Sequence, residues 1–562
     1  MSPMRAERVL VIGLDGGTYD VLVPLAELGV MPNLARLLGT AFLAQLRSTQ
    51  PTVTPVAWTT FQTGCDPAAH GIVDFRYFDH RRNELLLNHA GRIPCSTLFD
   101  ELGRVGAEVV SLDLPMTYAP RLNARGIIVG GLECPSSAKA LAPYGEFTAR
   151  MRATGAVYEL GAIWKGRPAN VDELRAGVAR TIANFRGRVT AARVADEMVD
   201  WRLLVVQFQA LDALQHRLWD ALGVDAQSSA PPDWTVETRR AMTALDQCVG
   251  DLLELASRRG ARAMLVSDHG FGAFRETISV SALLASRALL MPANRGAVGS
   301  YRVRRSLWKL RRWAHHRFHA SAAACGRSPQ ACAPFDRRRS VAVPLHGNLA
   351  GMVYLNSRRR FGSGPISTPR QYDQAAADVA SALGEARHPE TRERLFTDVL
   401  LTQRDWNDDP LERLWPDLIA IPAAGFHTRH KIDGSPQVLR ADATIRGTHR
   451  LEGVLLIDGV RSSSPETCNA SLRDVAPTIL DILGIEPSEP LPGRVLTSAP
   501  DRDHDAAASR PCRWRGEERS TEQADASLLH RADSARRTGI PLHTRREQAL
   551  VEARLNDLGY LQ

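Results

Sequence analysis

The stretch LVIGLDGGTYD, residues 10–20, sets an apolar run against a carboxylate that is followed by a glycine pair. The run Val9–Leu14 is typical of a strand buried on both faces of a parallel sheet. Ligands of such sheets bind beyond the carboxyl ends of the strands, and Asp15 stands at that point. Gly16 and Gly17 allow a tight turn and a close approach of a ligand to the backbone. An aspartate that caps the next helix would give the same pattern, so this stretch alone leaves both interpretations open.

Six more short apolar runs follow along the chain. They are AEVVSLDL from Ala107, GIIVGG from Gly126, RLLVVQFQ from Arg202, RAMLVSD from Arg262, DLIAI from Asp417 and GVLLIDG from Gly453. Between most of them lie helical patterns such as MPNLARLLGTAFLAQL from Met31 and TRRAMTALDQCVGDLLELASRRG from Thr238. This alternation predicts an α/β fold with a largely parallel central sheet between helical layers.

Residues 300–400 break the alternation and predict an inserted cap subdomain. The segment begins with YRVRRSLWKLRRWAHHRFH, residues 301–319, which is dense in arginine and has apolar residues at helical spacing. A solvated cap helix is favoured there over a helix that binds a membrane or nucleic acid. The core is therefore expected in two parts, residues 1–299 with the metal site and residues 401–497.

The end of the chain predicts a linker and a docking helix. Residues 498–540 are expected to form a flexible linker, because the start of this tail is rich in Asp, Arg, Ala and Ser with little apolar content. Residues 541–562 predict a short amphipathic helix with Leu550, Leu555 and Leu558 on one side. Docking onto the body of the protein or onto a partner chain would explain that apolar face.

Composition excludes several classes of protein. Of 562 residues, 44% are hydrophobic and 23% are charged, which is ordinary for a globular protein with a sizeable core. The net charge of +8 is compatible with an anionic substrate but too weak for a nucleic-acid polymer as partner. No apolar run approaches the roughly 18 residues of a membrane span, and no leader pattern is present, so a cytoplasmic location is expected. The eight cysteines show no C-x-x-C spacing and predict reduced thiols.

Polar side chains with metal-binding chemistry follow the predicted strands. Asp15 is the first. In PTVTPVAWTTFQTGCDPAAHGI, residues 51–72, Thr54 precedes a helical pattern that runs to Thr63. A hydroxyl at a helix start lies near the positive end of the helix dipole, which suits an anion, although helix capping remains the alternative.

Three further pieces supply carboxylates and imidazoles. In QALDALQHRLW, Asp212 and His216 are four residues apart, which places them on one face of a helix. In LVSDHGFG, Asp268 and His269 end an apolar strand. His449, in RGTHRLEGVLLIDG, is predicted to lie in a loop that leads into a buried strand. Together these pieces offer three carboxylates, three histidines and one hydroxyl, enough for two divalent ions, with zinc favoured and manganese as the alternative.

The ordered set of motifs resembles the alkaline phosphatase superfamily, and within it the type I phosphodiesterase and nucleotide pyrophosphatase group. The resemblance runs from Val9 to Leu496 through GLDGGTYD, MPNLARL, PTVTPVAWTTFQTGCDPAAHGI, LDALQH, SDHGFG, GTHRLEGVLLIDG and DVAPTILDILGI. It implies an alkaline-phosphatase-like fold and hydrolysis of a small phosphate ester.

The resemblance also implies a role for each candidate residue. One metal would be held by Asp15, Thr54, Asp268 and His269, and a second by Asp212, His216 and His449. Thr54 matches the nucleophile position, which implies a phosphothreonine intermediate. A threonine hydroxyl is a poor nucleophile at neutral pH, and coordination to zinc lowers the pKa of a bound oxygen by many units.

Two departures bear on the substrate. Relatives that cleave nucleotides usually carry an asparagine shortly after the HGI triplet, where this chain has Asp74 and Phe75, so nucleotide substrates are in doubt. The segment around Thr54 offers no arginine or lysine, and an apolar rim of Trp58 and Phe75 is expected there, which favours a phosphodiester over a monoester.

Other activities stay open at this point. A sulfatase is excluded, because CDPAA at Cys65 lacks the arginine of the C-x-P-x-R motif and lies outside the nucleophile position. A phosphomonoesterase, or a phosphotransferase such as a cofactor-independent phosphoglycerate mutase, is the main enzymatic alternative. A binding protein that kept the fold and lost the reaction is another, but a complete set of seven ligand residues argues against it.

Overall fold

The fold is built around an eight-stranded sheet, seen in a computed structural model. The structure describes residues 7–80, 82–121, 124–141, 144–160, 164, 166–224, 230–291, 293, 335–402, 415–432, 435–459, 468–496, 543–558 and 560. The basic segment 301–319 and the expected linker 498–540 lie outside these residues, so the expectations for them stay predictions.

Nineteen strands are defined within the described ranges. In chain order they are β1 Val9–Leu14, β2 Phe42–Arg47, β3 Arg76–Asp79, β4 Glu84–Leu87, β5 Glu108–Leu112, β6 Gly126–Val129, β7 Trp201–Phe208, β8 Arg262–Val266, β9 Gly270–Ala273, β10 Glu276–Ser279, β11 Ala342–His346, β12 Gly351–Leu355, β13 Phe396–Leu401, β14 Leu418–Pro422, β15 Phe426–Arg429, β16 Leu439–Arg440, β17 Gly447–Arg450, β18 Glu452–Ile457 and β19 Cys468–Ser471.

Fifteen α-helices are defined in the same ranges. They are α1 Tyr19–Glu27, α2 Pro32–Thr40, α3 Thr54–Thr63, α4 Pro67–His70, α5 Leu98–Arg104, α6 Ser137–Leu141, α7 Gly145–Ala153, α8 Val171–Met198, α9 Ala210–Leu218, α10 Pro232–Arg258, α11 Val280–Ser286, α12 Arg358–Phe361, α13 Pro369–Gly384, α14 Val475–Leu483 and α15 Arg545–Leu558.

The central sheet is largely parallel, as the sequence predicts. Its strand order is β19-β2-β18-β8-β1-β7-β5-β6. Strand β1 pairs in parallel with β7 on one side and with β8 on the other, so Val11 lies between Val205 and Met264. Strand β18 is the exception, since it runs antiparallel to both β2 and β8. The carboxyl ends of β7, β1 and β8 therefore meet at one edge of the sheet.

Both faces of β1 are covered by helices, which explains its unbroken apolar sequence. Leu10 and Ile12 belong to an apolar cluster that includes residues of α8 and α10. Val9 and Val11 belong to a second cluster on the opposite face, with residues of α3, α5 and α14. All four side chains are fully buried. A strand in this position gains from apolar residues at every register position.

A second apolar core lies outside the central sheet. It contains an antiparallel sheet in the order β11-β12-β14-β13, covered by α11 and α13. The run DLIAI from Asp417 forms β14 in this sheet, so its expected place in the parallel sheet is wrong. The described residues of this core extend from Val73 to Ile432, beyond both ends of the segment 300–400 that the sequence marks as an insertion.

One predicted helix is wrong in its second half. The pattern MPNLARLLGTAFLAQL forms α2 only as far as Thr40, and Phe42–Arg47 is a strand. That strand pairs with β18 and β19, so sheet pairing decides its conformation against the helical spacing of its leucines.

The C-terminal helix α15 docks on the body through part of the predicted face, and the side chain of Leu558 lies outside what the structure describes. Val551 and Leu555 are fully buried in the main apolar cluster, whereas Leu550 is 44% exposed.

The described cysteines are all free thiols, in agreement with the prediction from spacing. No single helix in the described ranges is long and apolar enough to cross a membrane, although the bent pair α1 and α2 passes that test together.

Gly16→Ala should destabilise the protein, because the turn after β1 needs glycine. Its φ is +70°, and an added Cβ would lie 2.7 Å from Cδ2 of Phe271. We expect the free energy of unfolding to fall by about 1–3 kcal/mol in chemical denaturation. Gly39→Ala is the control, because nothing lies within 4 Å of its added Cβ. Equal stabilities of the two variants would contradict the constraint at Gly16.

Candidate active site

Three carboxylates meet where neighbouring strands of the central sheet end. Asp15 follows β1, Asp268 follows β8, and Asp212 lies in the first turn of α9 just after β7. Because β7, β1 and β8 are adjacent and parallel, their carboxyl ends bring these side chains together. All three residues are at most 1% exposed.

His269 is the centre of the first group of candidate ligands. Its Nε2 lies 3.3 Å from Asp268 Oδ2 and 3.5 Å from Asp15 Oδ1. The same nitrogen is 3.4 Å from Thr54 Oγ1. The four residues that the resemblance assigns to one metal thus converge on a single point.

Asp212 is the centre of the second group. Its Oδ1 lies 3.1 Å from His449 Nε2 and 3.4 Å from His216 Nε2. The two histidine nitrogens are 3.2 Å apart. Asp212 also lies near Asp15 and His269, with one ligand atom of each within 4.8 Å of the others, so the two groups adjoin.

Each histidine is oriented by a backbone carbonyl. Nδ1 lies within hydrogen-bond distance of a carbonyl oxygen in all three, at 2.8 Å for His216 to Gly447, 3.1 Å for His449 to Thr52 and 3.0 Å for His269 to Gly270. A proton on Nδ1 leaves the lone pair of Nε2 directed into the site, which is the arrangement of histidine ligands in metal centres.

Burial keeps these imidazoles neutral. It lowers the pKa of His216 and of His449 to about 3, and it lowers the pKa of His269 well below its ordinary value. A neutral imidazole has the free lone pair that a metal ligand needs.

Two buried carboxylate oxygens lack a hydrogen-bond partner in the described part of the chain, which is typical of a cation site. Oδ1 of Asp15 and Oδ2 of Asp268 are buried and have no hydrogen-bond partner among the described residues. Burial raises the pKa of Asp15 well above its ordinary value, and the charges of Asp268 and Asp212 raise it further. Burial also raises the pKa of Asp268. Unpartnered carboxylate oxygens beside neutral imidazoles fit divalent metal ions, which would satisfy both oxygens and reverse both pKa shifts.

The other oxygen of Asp15 is fixed by two buried donors. Trp58 donates its indole N–H over 3.1 Å, and Gln207 donates its amide N–H over 2.6 Å, both to Oδ2. Trp58 is fully buried and Phe75 is only 2% exposed, so the apolar rim expected from these two residues is wrong. Gln207 was not singled out from the sequence, although a polar side chain inside the run LLVVQFQ is the signal that could have found it.

Two alternatives from the sequence are resolved by the helix starts. Thr54 opens α3, whose cap position is Val53 with no side-chain cap. Helix α1 begins after Thr18, so Asp15 does not cap it.

His449 lies in strand β17, not in a loop, because β17 pairs with β9 next to His269. This pairing holds the ring centroids of His449 and His269 3.5 Å apart.

A tyrosine near the end of the chain, Tyr560, also contacts Thr54, and no pattern in the sequence predicts this contact. Tyr560 accepts a hydrogen bond from Thr54 Oγ1 over 3.2 Å and donates one to Asp212 Oδ2 over 2.5 Å. Its ring lies 4.9 Å from that of Phe75, centroid to centroid. Asp74, the other residue noted after the HGI triplet, forms a hydrogen bond of 2.5 Å with the buried His346.

A model of the type I phosphodiesterase / nucleotide pyrophosphatase family matches residues 9–451, which is most of the chain and includes every candidate ligand. The chain belongs to this family. Members of the family hydrolyse phosphoric ester bonds and use divalent metals, and this chain is accordingly a phosphoester hydrolase.

Solved structures that resemble the phosphodiesterase chain are distant. An inactive variant of murine ectonucleotide pyrophosphatase/phosphodiesterase 5 in complex with AMP is 12% identical, with a TM-score of 0.47, over 87% of this chain and 97% of that one. Phosphonoacetate hydrolase from Sinorhizobium meliloti 1021 in complex with phosphonoformate is 14% identical, with a TM-score of 0.48, over 86% and 96% of the two chains. No curated protein matches the chain.

Trp58→Phe should weaken metal binding in this phosphodiesterase without unfolding it. The ring is kept, but Asp15 loses one of the two donors that orient its carboxylate. Loss of such a partner typically costs 10- to 100-fold in metal affinity, and we expect a loss of about that size when zinc is titrated against a chromophoric chelator.

Trp201→Phe is the matched control for this measurement. Trp201 is also buried and donates its indole N–H to a carboxylate, that of Asp196, but away from the site. If both variants bound zinc as the unaltered protein does, the orientation of Asp15 would not depend on the indole.

Proposed function

We propose that this chain is a two-metal phosphodiesterase that transfers a phosphoryl group to Thr54, with zinc at both positions. The observation that carries the proposal is the position of the Thr54 hydroxyl. It is fully buried, lies 3.4 Å from His269 Nε2, and is linked to Asp212 through the hydroxyl of Tyr560. Both candidate ligand groups therefore adjoin one nucleophilic side chain.

The donor set supports zinc over magnesium or calcium. Three of the seven candidate ligands are imidazoles, which zinc accepts and which hard cations avoid. Asp15, Thr54, Asp268 and His269 would hold one ion, and Asp212, His216 and His449 the other. When bound, the pair would lower the pKa of the threonine hydroxyl and offset negative charge on the phosphoryl oxygens.

The reaction proposed for Thr54 has two displacements. In the first, the bond from Thr54 Oγ to phosphorus forms, the bond from phosphorus to the ester oxygen breaks, and the threonine proton is balanced by the one that the leaving alcohol takes up. In the second, water attacks the phosphothreonine: the bond from the water oxygen to phosphorus forms, the bond from phosphorus to Thr54 Oγ breaks, and the other proton of the water returns to Thr54.

The surroundings of the site support a substrate with one negative charge. No Arg or Lys of the described chain forms an ion pair with Asp15, Asp212 or Asp268, and the ring of Phe75 lies beside Tyr560 in the site. A dianionic monoester needs cations at the oxygens that the metals leave free. A diester carries one charge less and offers a second ester group that an aromatic ring can cover.

Thr54→Ala should abolish turnover while the protein stays folded, because the substitution removes the nucleophile and one of several candidate ligands. Thr54→Ser should retain part of the activity, since a hydroxyl remains. Hydrolysis of bis-p-nitrophenyl phosphate, followed by absorbance, measures both.

Elemental analysis of the same preparations provides the control. It should find about two divalent ions per chain in the unaltered protein, lost together with activity on chelation. One ion or fewer in active protein would rule out the two-metal reaction, and wild-type rates in Thr54→Ala would point to attack by water instead.

Diesters should be the better substrates. We expect kcat/KM to be higher for bis-p-nitrophenyl phosphate than for p-nitrophenyl phosphate at one pH, because the second charge of the monoester needs a protein cation beside the metals, and no Arg or Lys among the described residues is ion-paired with the three carboxylates. A preference of about tenfold for the monoester, equivalent to about 1.4 kcal/mol in the transition state, would contradict this.

A further inference from the structure

The last helix is attached to the body by several polar side chains and by two buried apolar ones. Arg554 donates to the carbonyl oxygens of Leu132, Cys134 and Pro135 over 2.9, 2.6 and 3.1 Å. Gln548 donates to Leu85 O over 2.8 Å. Only two apolar side chains of the described part of α15, Val551 and Leu555, are fully buried. A segment with few buried apolar contacts can detach at a lower free energy than global unfolding requires.

The end of this segment is fastened beside the candidate nucleophile. Arg217, next to His216, donates to the carbonyl oxygen of Asp557 over 2.9 Å. Three residues further, the phenol of Tyr560 lies between Thr54 and Asp212, and only 4% of the tyrosine is exposed. The C-terminal segment, residues 543–558 and Tyr560, thus reaches from the surface into the centre of the site.

The phenol of Tyr560 occupies space that a substrate needs. A phosphorus atom about to be attacked lies about 3–3.5 Å from the nucleophilic oxygen. The Tyr560 hydroxyl oxygen is already 3.2 Å from Thr54 Oγ1. Thr54 is fully buried in this arrangement, so an ester has no access to it.

We propose that the C-terminal segment is a built-in inhibitor, which closes the site with Tyr560 and must leave before a phosphate ester can bind. The proposal rests on the role given to Thr54 under the proposed function. Ester and segment compete for one place, so a phosphate ester that binds displaces the segment, and a segment that binds excludes the ester. If the open form were about one tenth of the molecules, the apparent affinity for substrate would be lowered about tenfold.

Tyr560→Ala tests the competition directly. We expect kcat/KM for bis-p-nitrophenyl phosphate to rise about tenfold, chiefly through a lower KM, and the affinity for inorganic phosphate in calorimetry to rise by a similar factor. Leu550→Ala is the matched control on the same helix, since Leu550 is exposed and lies away from the site. A lower or unchanged kcat/KM in Tyr560→Ala would overturn the proposal, and a lower value would make Tyr560 a participant in the reaction.

A second variant acts at a distance from the reacting atoms. Arg554→Ala removes three hydrogen bonds of the helix without touching the site, and should change kcat/KM and phosphate affinity in the same direction as Tyr560→Ala. The melting temperature of each variant shows whether it is folded.

Hydrogen exchange gives a measurement that does not depend on turnover. Saturating inorganic phosphate, added to the metal-loaded full chain, should speed exchange of the amides of residues 545–558, because it displaces the segment. Slower or unchanged exchange would overturn the proposal. Failure of the proposed function would appear elsewhere, as wild-type turnover in Thr54→Ala, and the exchange result would still decide the role of the segment.

Discussion

Three buried carboxylates, none of them ion-paired with an Arg or Lys among the described residues, are the constraint on which this site depends. Two unit charges 4 Å apart in a partly polar interior repel by about 4 kcal/mol, and burial adds a further cost for each. Asp15, Asp212 and Asp268 bear this cost, which appears as the raised pKa of Asp15 and of Asp268. The neutral histidines beside them add lone pairs and no charge, so bound cations would lower the cost of keeping the carboxylates ionised.

The order of strands in the central sheet brings the three carboxylates together. Strands β7, β1 and β8 are adjacent and parallel, so the residues that follow them share one edge. The unbroken apolar sequence of β1, the spacing of Asp212 and His216, and the pair Asp268 and His269 at a strand end each predict their local structure. Because each carboxylate follows the carboxyl end of one of these three strands, the strand order brings the carboxylates together.

What the sequence could not predict depends on contacts between distant parts of the chain. The strand conformation of residues 42–47 follows from pairing with β18, more than 400 residues away. The buried Trp58 donates a hydrogen bond to Asp15. His449 lies in a strand because β17 pairs with β9. From the sequence alone, we expect a helix at residues 42–47, a place on the rim of the site for Trp58 and a loop at His449. In each case a tertiary contact overrides the local preference.

Tyr560 is the extreme of this dependence, since 506 residues separate it from Thr54 along the chain. The periodicity of the last helix predicts docking and the burial of Leu555 but not the exposure of Leu550, and the residue that enters the site lies beyond the helix end. Its hydroxyl satisfies both Thr54 and Asp212, so the closed form leaves no broken hydrogen bond at the nucleophile. A phosphoryl oxygen of a substrate that opens the site can accept the hydrogen bond of Thr54, whereas Asp212, which is an acceptor, would be satisfied by a bound cation. Selectivity for phosphate esters then arises partly from the segment that they displace, because a ligand without an acceptor oxygen would leave the hydroxyl of Thr54 buried without a partner.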